Sequence, residues 1–270
     1  MKKFPVGFAA AILAAVLAFL AFHTPQVSAD AQSTVSAAPE SQIMPPPPNY
    51  LYPNGEAFIY AVEWHLFTAG IATVKMESGN QEQHVSAIAD SSGFVNTLYR
   101  VHDSIHSYFD PRTFCSQRIS KHTEEGSRWR ESEVHFDYSR HKTVLREKNL
   151  KNGESKDEEN DIPGCVTDVI SGFYYLASLP LQAGDSYVFP VNDGAKTTIA
   201  RAKVEGREKL KVPAGTFETV RVQVEAISGA LVGKGALWVW FSGDAHHTPV
   251  QMRAKLGWGT LLFRLQRIEK

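Results

Sequence analysis

"EAFIYAVEWHLF", Glu56 to Phe67, decides how the rest of the chain is read. Phe58, Tyr60, Val62, Trp64 and Leu66 fall on one side of an every-second-residue alternation; Ile59, Ala61, Glu63 and His65 fall on the other. Successive side chains of an extended backbone point to opposite faces, so the pattern predicts a strand with one apolar face to bury. A helix would space its apolar residues at three and four instead.

The same period of two recurs from Tyr50 onward, at roughly 71–78, 84–90, 101–109, 113–122, 129–137 and 142–150. It continues at roughly 186–191, 197–204, 208–212, 216–226, 234–241, 249–254 and 259–268. Asn152-Gly153 and Asp193-Gly194 suit tight turns with positive φ, and Pro213-Ala214-Gly215 makes another. The expected fold is mostly β: a large curled antiparallel sheet or half-barrel, built as a meander, packed on one short α-helix. That helix is "VTDVISGFYYLASLPLQAGD", where Val166, Val169, Ile170, Phe173, Tyr174 and Ala177 take helical spacing. Thr167 or Asp168 starts it and Pro180 lies beyond its end. A shorter helical turn fits "GFVNTLY", residues 93–99.

Three regions are expected. Residues 1–29 read as a signal peptide: Lys2 and Lys3, an apolar stretch from Val6 to Phe22, then the small-residue site Val27-Ser28-Ala29. An uncleaved N-terminal anchor is the competing reading, and in either case the chain is exported and periplasmic. Residues 30–49 hold four consecutive prolines and few core formers, which predicts a disordered Pro-rich linker. Residues 50–270 form a single β domain with no further transmembrane span. The run "REKNLKNGESKDEEND", Arg146 to Asp161, reads as two polar strand ends around a turn. A net charge of −1 without a basic stripe gives no footprint for a nucleic-acid backbone.

In an exported chain, Cys115 and Cys165 are expected to form a structural disulfide closing a loop of about fifty residues. Two buried thiols or a redox pair are the alternatives, the latter weakened by the absence of Cys-x-x-Cys spacing.

Chemistry is sparse. In "WFSGDAHHTPVQMR", Trp240 to Arg253, the acid Asp244 and the imidazoles of His246 and His247 have ligand types suited to zinc or base catalysis. Adjacent histidines on extended backbone diverge, however, and Asp244 is suited to closing a turn by accepting from backbone amides, so a polar turn is expected. His102 and His106 share a strand face without an identifiable third ligand. Gly-x-Ser-x-Gly, phosphate loops and dinucleotide fingerprints are absent from the sequence, so no catalytic residue, metal or cofactor is assigned. Asp90, Asp103, Asp110, Asp137 and Asp244 keep a carboxylate-based hydrolase as an alternative.

One feature favours binding. In "GALWVWF", Leu237, Val239 and Phe241 lie on one face and Trp238 and Trp240 on the other, so either both faces are covered by protein or one lines a groove. Ordinary core is the competing reading. A half-barrel around a helix suits a lipid or other apolar molecule, with Trp64, Trp238, Trp240, Trp258, Phe173 and Tyr174 as candidate groove lining. An envelope factor that binds only other proteins is the alternative partner class.

"GEAFIYAVEWHLFTAGIATVKM", "DVISGFYYLASLPLQAGDSYVF", "VPAGTFETVRVQVE" and "GKGALWVWFSGDAHHTPVQMRAKLGWGTLLFRL" together resemble the bacterial exported family known as domain of unknown function 3108. The resemblance runs from about Gly55 to Leu265 and rests on the order and spacing of these motifs. It implies an exported, predominantly antiparallel β protein of the cell envelope and brings no reaction with it. In that family's pattern the aspartate at Asp244 and the following Pro-Val recur. The histidine positions are more often arginine or other polar residues, which argues against a shared histidine metal site.

Overall fold

The computed structural model describes residues 42–64, 67–79, 81–228, 232–233, 235–257 and 259–270. The expected signal peptide therefore lies outside the described residues. In chain order the strands are β1 (Ala57–Trp64), β2 (Phe67–Ser78), β3 (Gln83–Ser91), β4 (Val101–Phe109), β5 (Ser116–Glu125), β6 (Arg128–Asp137), β7 (Lys142–Asn149) and β8 (Ser155–Asp161). They continue with β9 (Ser186–Asn192), β10 (Thr197–Val212), β11 (Gly215–Ala226), β12 (Ala236–Ser242), β13 (Pro249–Leu256) and β14 (Gly259–Glu269). Helix α1 (Gly93–Leu98) joins β3 to β4, and α2 (Val169–Ser178) follows β8.

All fourteen strands belong to one sheet, ordered β8-β7-β6-β5-β4-β3-β2-β1-β14-β13-β12-β11-β10-β9. Each neighbouring pair is antiparallel, and β1 pairs with β14, which brings the two chain halves together in mid-sheet. This is the curled antiparallel meander that the alternation predicts. Register shifts at Ile59/Tyr60, Val62/Glu63 and Val204/Gly206 bend the strands; such bulges add local twist and help a long sheet to curl. The last of these makes one sixteen-residue strand, β10, of what the sequence splits in two.

The concave face carries Phe58, Tyr60 and Val62 of β1 with Ala87 of β3, Ile105 of β4, Val222 of β11, Val239 of β12 and Phe263 of β14, all in one core cluster. Helix α2 lies inside the curl. Eight of its ten residues are buried, so it is covered nearly all round instead of along one stripe. Asp168 is its N-cap in a reciprocal capping box with Ser171.

Strand polarity places the β4–β5, β12–β13 and α2–β9 connections at one end of the curl. Helix α2 crosses that end: Tyr50 donates its hydroxyl to Tyr174 O at 3.4 Å and His247 Nδ1 lies 2.8 Å from Ala177 O. The opposite end carries the β1–β2, β5–β6, β7–β8 and β9–β10 connections together with α1.

The sheet is brought towards closure without a ladder between its edges. The segment ahead of α2 lies between β5 and β9: Ser116 N donates to Val166 O at 2.9 Å, and Thr167 N donates to Pro190 O at 3.0 Å. At the other end, Lys121 Nζ donates to Asp193 O at 2.9 Å. Gly194 has φ 108°, and a Cβ there would lie 2.7 Å from Val134 Cγ2, so only glycine lets the β9–β10 turn sit this close to β6. Strands β6, β7 and β8 extend beyond this seam.

Cys115 and Cys165 form a disulfide, with Cα atoms 5.1 Å apart. Cys115 lies in the β4–β5 connection, one residue before β5 begins, although the sequence predicts a strand already over 113–122. Part of the stretch read as linker is also seated on the domain. Ile43 packs against the core, and Tyr175 donates its hydroxyl to Gln42 O at 3.5 Å. The described residues of the expected linker, 42–49, thus meet the domain at Gln42 and Ile43.

Candidate ligand-binding site

A cavity lies between the inner side of α2 and the concave sheet. It contains about 630 Å³ of space free of atoms, part of it open to solvent. Ile170, Phe173 and Tyr174 of α2 form one wall. Phe58, Tyr60, Ala72, Val74, Ala87 and Ile105 form another, and Pro249, Met252 and Phe263 complete it. The lining is apolar apart from the tyrosine hydroxyls. Alternation explains the composition, because the strand residues in the lining belong to the inward-facing set of their strands, Pro249 being brought round by the register shift opposite Trp240/Phe241. Small residues at 72 and 87 leave the space that larger side chains would fill.

The two hydroxyls differ. Tyr60 donates to Pro249 O at 2.8 Å. Tyr174, itself buried, makes no side-chain hydrogen bond among the described residues; its ring stacks on Phe109 with centroids 6.2 Å apart. Burial pushes both phenols well above their ordinary range, so both stay protonated.

Of the residues expected to line a groove, Phe173 and Tyr174 do so. Trp64 is partly buried against the core but is outside the lining. Trp238 and Trp240 are on the convex face. Arg253 lies over both rings, 4.4 and 5.7 Å from their centroids, and Trp240 Nε1 donates to Glu208 Oε1 at 2.7 Å. Strand β12 is therefore apolar on both faces because the convex face carries its own cation–aromatic layer. Trp258 lies outside the described residues.

The "SGDAHHT" stretch forms the β12–β13 turn. Asp244 Oδ1 accepts from Ser242 Oγ at 2.9 Å and from His246 N at 3.0 Å. His246 is exposed, while the His247 ring turns inward and donates to Ala177 O, one of the carbonyls that the end of α2 leaves without a helical partner. His102 pairs with Asp90 at 2.6 Å, whereas His106 meets His84 at 3.0 Å, so each of the two has a different partner.

Two buried polar clusters join residues whose meeting the sequence does not show. Asp168 Oδ2 accepts from Ser107 Oγ at 2.7 Å and Ser116 Oγ at 2.6 Å, while Oδ1 accepts from Ile170 N and Ser171 N. The second group is a carboxyl pair on the concave face, Asp103 of β4 and Glu125 of β5, both buried. Burial raises both, and the charge of Asp103 raises Glu125 further, to about 8. Glu125 stays protonated and donates to the Asp103 carboxylate, which also accepts from Glu124 N at 3.1 Å. Glu125 carries an inward-parity signal, two residues from Thr123 and four from Lys121, that the alternation could have supplied.

The profile of the family described as protein of unknown function (DUF3108) matches residues 59–266. The chain belongs to this family. No curated protein matches the DUF3108 chain. Among solved structures it is similar to a β-barrel-like protein of DUF1849 from Brucella abortus, with TM-score 0.56 and 7% identity over 84% of this chain and 98% of that one. A protein of YmcC-like fold from Bacteroides fragilis aligns at TM-score 0.36 and 10% identity, over 85% of this chain and all of that one. The first likeness shows the barrel-like fold that DUF3108 shares with the Brucella protein. No helix among the described residues of the DUF3108 chain is long and apolar enough to cross a membrane.

Proposed function

We propose that the protein is an exported envelope protein that holds an apolar molecule, such as a lipid acyl chain, in the cavity above α2. The cavity lining carries the reading: twelve residues converge on it, ten of them without any polar side-chain atom apart from the Met252 sulfur. Small-molecule sites are typically concave, mainly apolar and few per protein. Export is supported by the sequence of residues 1–29 and by the disulfide, which suits an oxidising compartment.

The test is native mass spectrometry of protein purified from the envelope without detergent, paired with titration of a fluorescent polyene fatty acid. A copurifying lipid and saturable probe binding are expected. Ala87→Phe, which fills the cavity from the β3 side, should abolish both; Trp238→Phe, on the convex face, should change neither. Wild-type protein that carries no lipid and does not bind the probe would sink the reading.

A further inference from the structure

The end of the barrel opposite α2 carries a surface that the cavity does not use. Its connections adjoin one another: Ser92 N donates to Ala69 O at 2.9 Å, Gly126 N to Arg100 O at 3.0 Å, and Leu150 N to Trp129 O at 2.9 Å. Along this rim Phe67, Phe94 and Leu98 are 66%, 75% and 65% exposed, and Trp129 is 38% exposed. Helix α1, which presents two of them, buries none of its residues. Adjacent large apolar side chains held in water mark an interaction surface, not random exposure.

Charge identifies the occupant. Arg100, Arg128 and Lys151 are exposed on the same connections and form no ion pair among the described residues. Arg128 feels the buried Asp103–Glu125 pair, which keeps one proton and one negative charge and so offsets it in part; Asp90, bonded to His102, and Glu154 are the exposed acids near this end. The Lys151 ammonium sits 5.3 Å from the Trp129 ring, leaving aromatic and cation side by side. Apolar side chains interleaved with unpaired cations match the boundary of an anionic bilayer, where rings enter the headgroup region and cations meet phosphates. A second copy fits worse, because face-to-face packing would oppose the three cations with their equivalents.

We propose that this rim docks the barrel end-on to an anionic phospholipid surface. The proposal does not require the cavity to be occupied, and its test is separate from the lipid-carriage test. Purified exported protein is co-sedimented with vesicles of phosphatidylcholine, with and without phosphatidylglycerol. Any contribution of the N-terminal segment is common to all variants and cancels in their ratios.

Binding is expected only with phosphatidylglycerol present and is expected to weaken with added salt. The pair Phe94→Ser with Leu98→Ser should lower partitioning at least about tenfold. Lys151→Glu, on the exposed β7–β8 turn, should lower it as well and keeps the test alive if the paired variant folds poorly. Leu51→Ser, equally exposed at 66% but near the α2 end, should bind like wild type. Rim variants that bind as wild type, equal binding to vesicles of phosphatidylcholine alone, or a dimer in solution that the Phe94 variant dissolves would each overturn the proposal.

Discussion

Replacing Asp168 removes more than a helix cap. Its carboxylate satisfies two backbone amides of α2 and two buried serine hydroxyls at once. Asp168→Ala should therefore cost about 3 kcal/mol or more in chemical denaturation, above the typical 1 kcal/mol of a surface cap, because donors are left unpaired in the core. A loss below about 1 kcal/mol would show that the serines find other partners. Glu125 makes a prediction of opposite electrostatic sense to the usual acid. Its folded form holds the proton more tightly than the unfolded chain, to about 8. This contribution is complete below the unfolded value of about 4.3 and is lost as pH rises through the folded one. Glu125→Gln mimics the protonated acid, so its melting temperature should match wild type near pH 4 and exceed it increasingly towards pH 8; a difference that stays flat with pH rules the shared proton out. Asp168 was legible in the sequence as a helix start, since capping is local. The serines that share it come from β4 and β5, and that meeting is set only by register.

At the scale of elements, periodicity read most strands because one buried face imposes a period of two. It said less about β8, "SKDEEND", which is charged on both faces and exists as an edge strand paired to β7; such charges discourage further pairing along an open edge. The amphipathic spacing found α2, yet not that it would be buried nearly all round, which follows from lying inside the sheet. For the cavity, the two helix residues were legible and the tryptophans of β12 were not, because a strand apolar on both faces does not say which face is concave. The disulfide acts at this same scale. It ties the β4–β5 connection to the segment that lies between β5 and β9. Cys165→Ser should lower stability by up to about 4 kcal/mol by the chain-entropy estimate for a loop of this length. Hydrogen exchange should quicken first at Val166, Thr167 and β9; uniform acceleration across the sheet would place the effect in the unfolded chain alone.

For the whole molecule, the seam divides one continuous sheet into two mechanical parts. Strands β9 through β14 and β1 through β5 curl round α2 and share its core, whereas β7 and β8 lie outside the closure that Thr167, Lys121 and Gly194 make. Core burial falls in the same order: Val134 and Phe136 of β6 are buried, Thr143 is the buried residue of β7, and β8 has none. A ladder with little apolar burial opens by local fluctuation at a cost well below global unfolding. Amides of the β7–β8 ladder should thus exchange at least about two orders of magnitude faster than those joining β1 to β14. Gly194→Ala should extend the fast region into β6 and β9, because its Cβ would push Val134 away and its φ disfavours any side chain. Protection of β7–β8 equal to that of β1–β14 would mean that the fourteen strands open as one unit and that the seam is no boundary.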